Sequence, residues 1–141
     1  MLNFQSKKDI WFAVLIWGVI ILMIFMMITE QNIVVYIVGI LNNALLLWLW
    51  FDTSYKVNDE DLIVKSGPFK STIDIKSIKK LRATKTLLAG PALSLSINRI
   101  EIQYKRYDFV IVSPKEKNKF IESLLSKNKS IEIDDKLFKD N

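Results

Sequence analysis

Two uncharged runs decide the architecture of this chain: IWFAVLIWGVIILMIFMMI at residues 10–28 and IVVYIVGILNNALLLWLWF at residues 33–51. Each run has 19 residues. At a rise of 1.5 Å per residue, a helix of that length reaches about 28 Å, close to the hydrocarbon thickness of a bilayer. Only four residues separate the runs, so the two helices must be antiparallel neighbours. We predict a transmembrane hairpin.

The charges that flank the hairpin predict its orientation. Lys7 and Lys8 precede the first run, Lys56 follows the second, and the connecting turn carries only Glu30. Because cytoplasmic flanks are enriched in Lys and Arg, we expect both termini in the cytoplasm and the protein in the cell membrane as a multi-pass protein. A cleaved signal peptide is the alternative for the first run, but residues 26–29 lack a small-residue cleavage pattern. An aromatic belt lies at the cytoplasmic end, and it comprises Trp11, Phe12, Trp48, Trp50 and Phe51.

Two amides interrupt the second apolar run near its middle. Asn42 and Asn43 are consecutive, and consecutive helix positions point about 100° apart. At least one of them is therefore expected to face the first span or another protomer. The sequence predicts an interhelical hydrogen bond here, and a polar site for permeation or binding is the alternative.

The remaining ninety residues differ in composition from the hairpin. They hold 18 of the 20 Lys and Arg and 13 of the 15 acidic residues, so they carry the formal net charge of +5. Lysine dominates over arginine, which suits anionic lipid surfaces better than base-specific reading of nucleic acid. The chain has no Cys and no His, which excludes disulfides, thiolate metal sites and the commonest general base. We predict neither an enzyme nor a metal or cofactor site, and no nucleic-acid partner.

From residue 53 onward the apolar spacing changes to period two, which is typical of a small antiparallel sheet. The predicted strands cover residues 53–57, 62–66, 71–75, 99–105, 109–113 and 131–133. Ser113 and Pro114 suit the N-cap and first position of a helix that ends near Asn128. Its apolar stripe comprises Phe120, Ile121, Leu124 and Leu125. We predict an α+β fold, with the hairpin region at 1–51, a sheet capped by a helix at 52–133 and a charged tail at 134–141.

One segment resembles a known family. Residues 91–104 read PALSLSINRIEIQY, similar to the P-A-L-S-L-x-R-[IL]-E-I-x-Y segment of the YyaB-like bacterial pleckstrin-homology (PH) domain family. The positions that carry the resemblance are Pro91, Ala92, Leu93, Ser94, Leu95, Arg99, Glu101, Tyr104, Ser113 and Pro114. This chain has one residue more than usual between Leu95 and Arg99 and lacks the usual aspartate there. The resemblance implies a PH-like antiparallel sheet or barrel, plugged by a C-terminal helix.

The fold that the resemblance implies hosts many binding roles. Eukaryotic PH domains often hold inositol phosphates with basic residues in their first hairpin loop, whose donors match phosphate oxygens. In this chain we assign that loop to residues 58–61, which are acidic and would repel a phosphate. Arg99 and Glu101 are expected to form a solvent-facing pair on their strand.

A basic stretch offers another surface for binding. We predict that its cations contact anionic lipid, because each lysine near a bilayer gains about 1 kcal/mol. The stretch comprises Lys76, Lys79, Lys80, Arg82 and Lys85. Our interpretation is a non-enzymatic, membrane-anchored module that binds a protein partner or anionic lipid at the cytoplasmic face of the bilayer. The alternatives are self-immunity of a producer bacterium against a peptide antibiotic and a subunit of a membrane transport assembly.

Overall fold

The computed structural model of the chain describes residues 1–85, 96 and 98–138. Its helices are α1 (Ile10–Thr29), α2 (Ile33–Phe51) and α3 (Lys117–Lys127). Its strands are β1 (Leu2–Gln5), β2 (Thr53–Val57), β3 (Asp61–Ser66), β4 (Phe69–Asp74), β5 (Ile78–Thr84), β6 (Arg99–Tyr104), β7 (Asp108–Val112) and β8 (Glu132–Ile133). Two short 3-10 helices lie at Ile75–Ser77 and Asp135–Phe138. The predicted α+β fold is confirmed.

Helices α1 and α2 form the hairpin that the two uncharged runs predict, and both are long and apolar enough to cross a membrane. In these fully described helices only Ile16, Ile20 and Gly39 are buried. A soluble domain would instead cover an apolar helix face with its own core. Gly39 lies where the helices cross, and a Cβ there would lie 2.7 Å from Sδ of Met27. The missing side chain therefore lets the two backbones approach closely.

The first strand of the sheet lies before the hairpin. β1 pairs antiparallel with β2, with Phe4 opposite Tyr55, in a sheet of order β1-β2-β3-β4. The hairpin thus connects two neighbouring strands of one sheet, whereas the sequence pattern predicts the hairpin region alone for residues 1–51. The difference arises because β1 has four residues, of which only Phe4 is buried. So short a strand has too little periodicity to be recognised from sequence.

A second sheet, of order β7-β6-β5-β8, faces the first. The two sheets meet where Ser6 forms a β-bridge with Pro114. Beside this bridge, the backbone N–H of Lys7 donates to the carbonyl oxygen of Ser113 at 2.7 Å. The residues that lead into α1 therefore connect the first sheet to the second.

This bridge changes where the last helix begins. The prediction placed its start at Ser113 and Pro114, but α3 begins at Lys117, after Glu116. The physical reason is that the backbone at Ser113 and Pro114 pairs with the N-terminal segment. The carbonyl oxygen of Ser113 accepts from Lys7, and the N–H of Lys115 donates to the carbonyl oxygen of Gln5, so the backbone on both sides of Pro114 follows the sheet instead of a first helical turn.

The apolar stripe of α3 covers the core between the sheets, as predicted. Phe120, Ile121 and Leu124 are buried, and Leu125 is partly buried against the same cluster. The ring of Phe120 meets the ring of Phe4 edge-on, with centroids 5.4 Å apart. The helix therefore holds the N-terminal strand as well as the rest of the sheet.

Part of the predicted charged tail also belongs to the core. Asp135–Phe138 forms a 3-10 helix, and Leu137 is 1% exposed within the main hydrophobic cluster. The charges around Leu137 concealed this single apolar anchor in the sequence.

The strands give the domain two ends, which we name by their distance from the hairpin. At the hairpin-proximal end, β2 begins directly after α2, and the guanidinium of Arg99 lies 5.5 Å from the ring centre of Phe12 in α1. The distal end contains the turns at residues 58–61 and 105–107. β5 runs from the distal end to Thr84, which pairs with Arg99. Seven residues of strand separate the two ends by about 20 Å.

Candidate binding surface at the hairpin-proximal end

A buried hydroxyl cluster joins the N-terminal segment to both sheets. The Tyr55 hydroxyl donates to Oγ of Ser6 at 3.1 Å, and it accepts from the backbone N–H of Ser113 at 3.1 Å. The two serine hydroxyl oxygens lie 3.2 Å apart. Burial raises the pKa of Tyr55, so its phenol stays protonated and keeps donating at neutral pH. The cluster thereby holds the chain just before it enters α1.

Arg99, a residue of the family segment, joins the domain to α1. Its Nε donates to the carbonyl oxygen of Ser96 at 2.6 Å, and Oγ of Ser96 donates to Oδ2 of Asp9 at 2.7 Å. Burial lowers the pKa of the guanidinium, and the charge of Asp9 acts in the opposite direction. Arg99 is only 4% exposed, so the predicted solvent-facing pair with Glu101 is wrong. The side chain turns towards Phe12 of the hairpin instead of towards water.

A basic groove with a volume of about 460 Å³ opens beside this junction. Its four cations are Lys7, Lys115, Lys117 and Lys119. Glu116 also lines it and forms an ion pair with Lys119 at 2.7 Å, which raises the pKa of that lysine. Four lysines and one carboxylate leave three positive charges. These lysines do not stand out as one group in the sequence, because it is the bridge at Pro114 that brings Lys7 beside the start of α3.

Further cations surround the roots of the hairpin. Nζ of Lys8 lies 4.9 Å from the ring centre of Trp50, and exposed Lys70 stands opposite Lys65 in the sheet. Lys65 pairs with Asp52 at 2.7 Å, and this hydrogen bond lowers the pKa of the carboxyl group. The hairpin-proximal end therefore combines positive charge with the aromatic belt of the helices.

The predicted basic stretch divides between the two ends of the domain. Lys76, Lys79 and Lys80 lie at the distal end, where they line a groove of about 710 Å³ together with Lys105. Arg82 stands opposite Glu101 in the middle of β5. Lys85 follows β5 at the hairpin-proximal end, where it borders a cavity of about 20 Å³ beside Arg99 and Lys117. These five residues do not form one surface, and their contact with lipid stays a prediction.

The family segment lies only partly within the described residues. Tyr104 is partly buried against the core, and Ser113 and Pro114 are buried at the bridge between the sheets. Glu101 lies on β6, opposite Ile111 of β7. Outside the described residues lie Pro91, Ala92, Leu93, Ser94 and Leu95.

The two amides of α2 are half-buried in the hairpin. Nδ2 of Asn42 and Oδ1 of Asn43 are shielded from solvent and have no hydrogen-bond partner. These two atoms therefore do not make the interhelical hydrogen bond that the sequence predicts.

The acidic turn at residues 58–61 joins β2 to β3, so it is the second connection of the sheet and not the first. The first connection is the hairpin, with Lys7 and Lys8 at its root. Lys127, at the end of α3, donates a hydrogen bond to the carboxylate of Asp59, and this bond lowers the pKa of Asp59. Within the described ranges, no group of three or more His, Cys, Asp or Glu side chains is placed to hold a metal ion.

Comparison with known proteins supports this description of the domain. The family model described as "Bacterial PH domain" matches residues 53–128. The chain is also 32% identical over 101 residues to "Uncharacterized protein YyaB" of Bacillus subtilis (strain 168), which covers 71% of this chain and 69% of that protein. No solved structure matches the chain. The chain therefore belongs to the bacterial PH domain family.

Proposed function

We propose that the chain is a non-enzymatic, membrane-anchored binding module whose PH-like domain binds anionic lipid headgroups in the basic groove. The observation that carries this proposal is the position of Lys7, which lines the groove and precedes α1 by three residues. If α1 enters the bilayer at Ile10, the groove must remain at the surface of that bilayer. Because the hairpin would hold the domain at the bilayer, the effective concentration of headgroups at the groove would be high, and even weak contacts would form.

Distance decides between the two basic grooves. Surface charges attract each other appreciably only within a Debye length, about 8 Å at physiological salt. Along β5, at about 3.3 Å per residue, Lys80 lies roughly 13 Å and Lys79 roughly 17 Å from the hairpin-proximal end at Thr84, and Lys76 precedes the strand. These distances exceed a Debye length, so most of the attraction of these lysines to the bilayer is screened. The lysines of the basic groove lie within reach and would each gain about 1 kcal/mol from anionic lipid. We therefore move the proposed lipid contact to the basic groove.

We also propose that both termini face the cytoplasm. This orientation is favoured by Lys7, Lys8 and Lys56, because flanks rich in lysine usually lie in the cytoplasm and the cytoplasmic leaflet carries anionic lipids. Removal of the first helix by cleavage would also remove β1 and the buried ring of Phe4, which argues against a signal peptide. The groove would then face the cytoplasmic leaflet.

The natural chain has no cysteine, so single-cysteine variants test this orientation. We expect Gln31→Cys, in the turn between the helices, to react with a membrane-impermeant maleimide on intact cells. Glu60→Cys, in the distal turn of the domain, should react only after lysis. The reverse pattern would place the domain outside the cell and overturn the orientation.

Lipid selectivity tests the groove itself. We expect the intact chain in neutral detergent to bind phosphatidylglycerol more tightly than phosphatidylcholine, as measured by native mass spectrometry during a lipid titration. The double variant Lys115→Gln, Lys117→Gln should lower the phosphatidylglycerol binding constant roughly 30-fold, equivalent to about 1 kcal/mol for each lysine. Raising the salt concentration should also lower the phosphatidylglycerol binding constant of the wild-type chain.

The matched control is Lys79→Gln, Lys80→Gln, which removes the same charge from the distal end and should change lipid binding little. An equal loss of phosphatidylglycerol binding in the two double variants, or no preference for phosphatidylglycerol, would refute lipid binding in the basic groove. A protein partner would then be the better account. Self-immunity and membrane transport remain alternatives predicted from the sequence.

A further inference from the structure

The turn between β3 and β4 makes a close contact with α2. Gly67 is buried with a φ of 54°, and a Cβ there would lie 3.1 Å from Cδ2 and 3.4 Å from the backbone nitrogen of Leu49. Its N–H donates to the carbonyl oxygen of Asp52 at 3.0 Å. Both the positive φ and the short contact favour glycine. The turn therefore packs beside the last turn of α2, at the level of Leu49, and not beyond the end of the helix at Phe51.

The residues that follow Gly67 point away from the core. Pro68, Phe69 and Lys70 are exposed, and Phe69 has 57% of its surface exposed. At the same level of α2, the belt residue Trp48 is 52% exposed. Aromatic rings are favoured among lipid headgroups, and a neighbouring lysine can extend its amine to the phosphates. In water, by contrast, an exposed Pro-Phe pair makes no favourable contact.

We propose that the β3–β4 turn, residues 67–70, inserts into the bilayer interface with Phe69 as its apolar anchor. The occupant of this surface is the headgroup region of the same bilayer that the hairpin crosses. With the roots of α1 and α2, the turn supplies a third point of attachment. Three points define a plane, so the turn fixes the tilt of the domain and the height of the basic groove above the lipid.

This inference rests on the proposed membrane anchoring but not on the selectivity of the groove. Insertion of an aromatic side chain depends on burial of apolar surface, so it should occur in neutral lipid and persist at high salt. Headgroup binding by lysines requires anionic lipid and weakens with salt. The two proposals therefore fail under different conditions.

The test uses the full chain in nanodiscs of phosphatidylcholine, with an environment-sensitive fluorophore on Pro68→Cys so that Phe69 stays intact. We expect a blue-shifted emission that is quenched more strongly by nitroxides near the headgroup than by nitroxides deep in the acyl chains. The same fluorophore on Glu60→Cys, in the distal turn, should be water-like and several-fold less quenched. On Ile40→Cys, in the middle of α2, it should be quenched best by deep nitroxides.

Substitution of Phe69→Asp should reduce shallow quenching at residue 68 several-fold, whereas Tyr107→Asp should leave it unchanged. Tyr107 is a matched control because its aromatic ring is 79% exposed and lies in the turn that joins β6 to β7 at the distal end. Quenching at residue 68 no stronger than at residue 60, with residue 40 still quenched, would overturn the insertion but not the anchoring. Loss of quenching at residue 40 and at residue 68 would overturn both the insertion of the turn and the membrane anchoring.

Discussion

Replacement of Phe4 by alanine is expected to lower the free energy of unfolding of the PH-like domain by about 3 to 5 kcal/mol. Phe4 is 5% exposed, belongs to the main hydrophobic cluster and contacts the ring of Phe120. Its removal leaves a cavity beneath α3 and weakens the strand that closes the two sheets. A change of this size is unexpected for a residue that precedes the helical hairpin, and it follows from the position of β1 in the sheet.

Hydrogen exchange of the slowest backbone amides in β3 measures this change in the intact, detergent-solubilised chain. We expect exchange to accelerate roughly a hundredfold or more in Phe4→Ala. Tryptophan fluorescence does not serve here, because all four tryptophans lie in the hairpin. Leu2→Ala, on the same strand but 53% exposed, is the control and should have a small effect. Similar exchange in both variants would mean that β1 is not part of the core.

The second large effect is expected for Phe120→Ala, again about 3 to 5 kcal/mol. Phe120 is fully buried, and its ring meets those of Phe4 and Tyr55 at centroid distances of 5.4 and 6.2 Å. The substitution therefore removes the one side chain of α3 that contacts both β1 and β2 through aromatic rings. The same exchange measurement in β3 reports the loss.

Glu122→Ala is the matched control, because Glu122 lies two residues further along α3 and is exposed. Alanine is the best helix former, so neither substitution weakens α3 through its helix propensity. A loss in this variant as large as in Phe120→Ala would show that the core contact of Phe120 is not the cause of the loss. The double variant Phe4→Ala, Phe120→Ala adds a sharper test. Edge-on aromatic pairs couple by about 0.5 to 1.5 kcal/mol, so the double loss should be smaller than the sum of the single losses.

Local sequence patterns predicted most of the fold because they are short-range. The absence of charge over two helical lengths predicts α1 and α2, and alternation predicts β2, β3, β6 and β7 close to their observed bounds. The stripe at Phe120, Ile121 and Leu124 predicts the buried face of α3. Each of these signals lies within one element, where period and length suffice to identify the structure.

Contacts between distant segments were not predictable in the same way. Pro114 suits the first position of a helix, but in the fold its backbone pairs with Ser6, more than a hundred residues away. Arg99 alternates with apolar neighbours as a surface residue does, but it is buried because α1 begins beside it. In both cases a tertiary contact outweighs the local preference.

The sequence by itself determined that a hairpin suited to a membrane precedes an α+β domain, because hydrophobicity and period are properties of adjacent residues. That this domain is PH-like was implied by the resemblance of residues 91–104 to a known family. Only the tertiary structure decided which cations share a surface with the hairpin. Lys76, Lys79 and Lys80 lie within nine residues of Lys85 in the sequence but at the distal end of the domain, because successive residues of an extended strand are about 3.3 Å apart. Lys7 and Lys115 are remote in sequence but line one groove, because β1 and the residues after β7 pair at the root of α1.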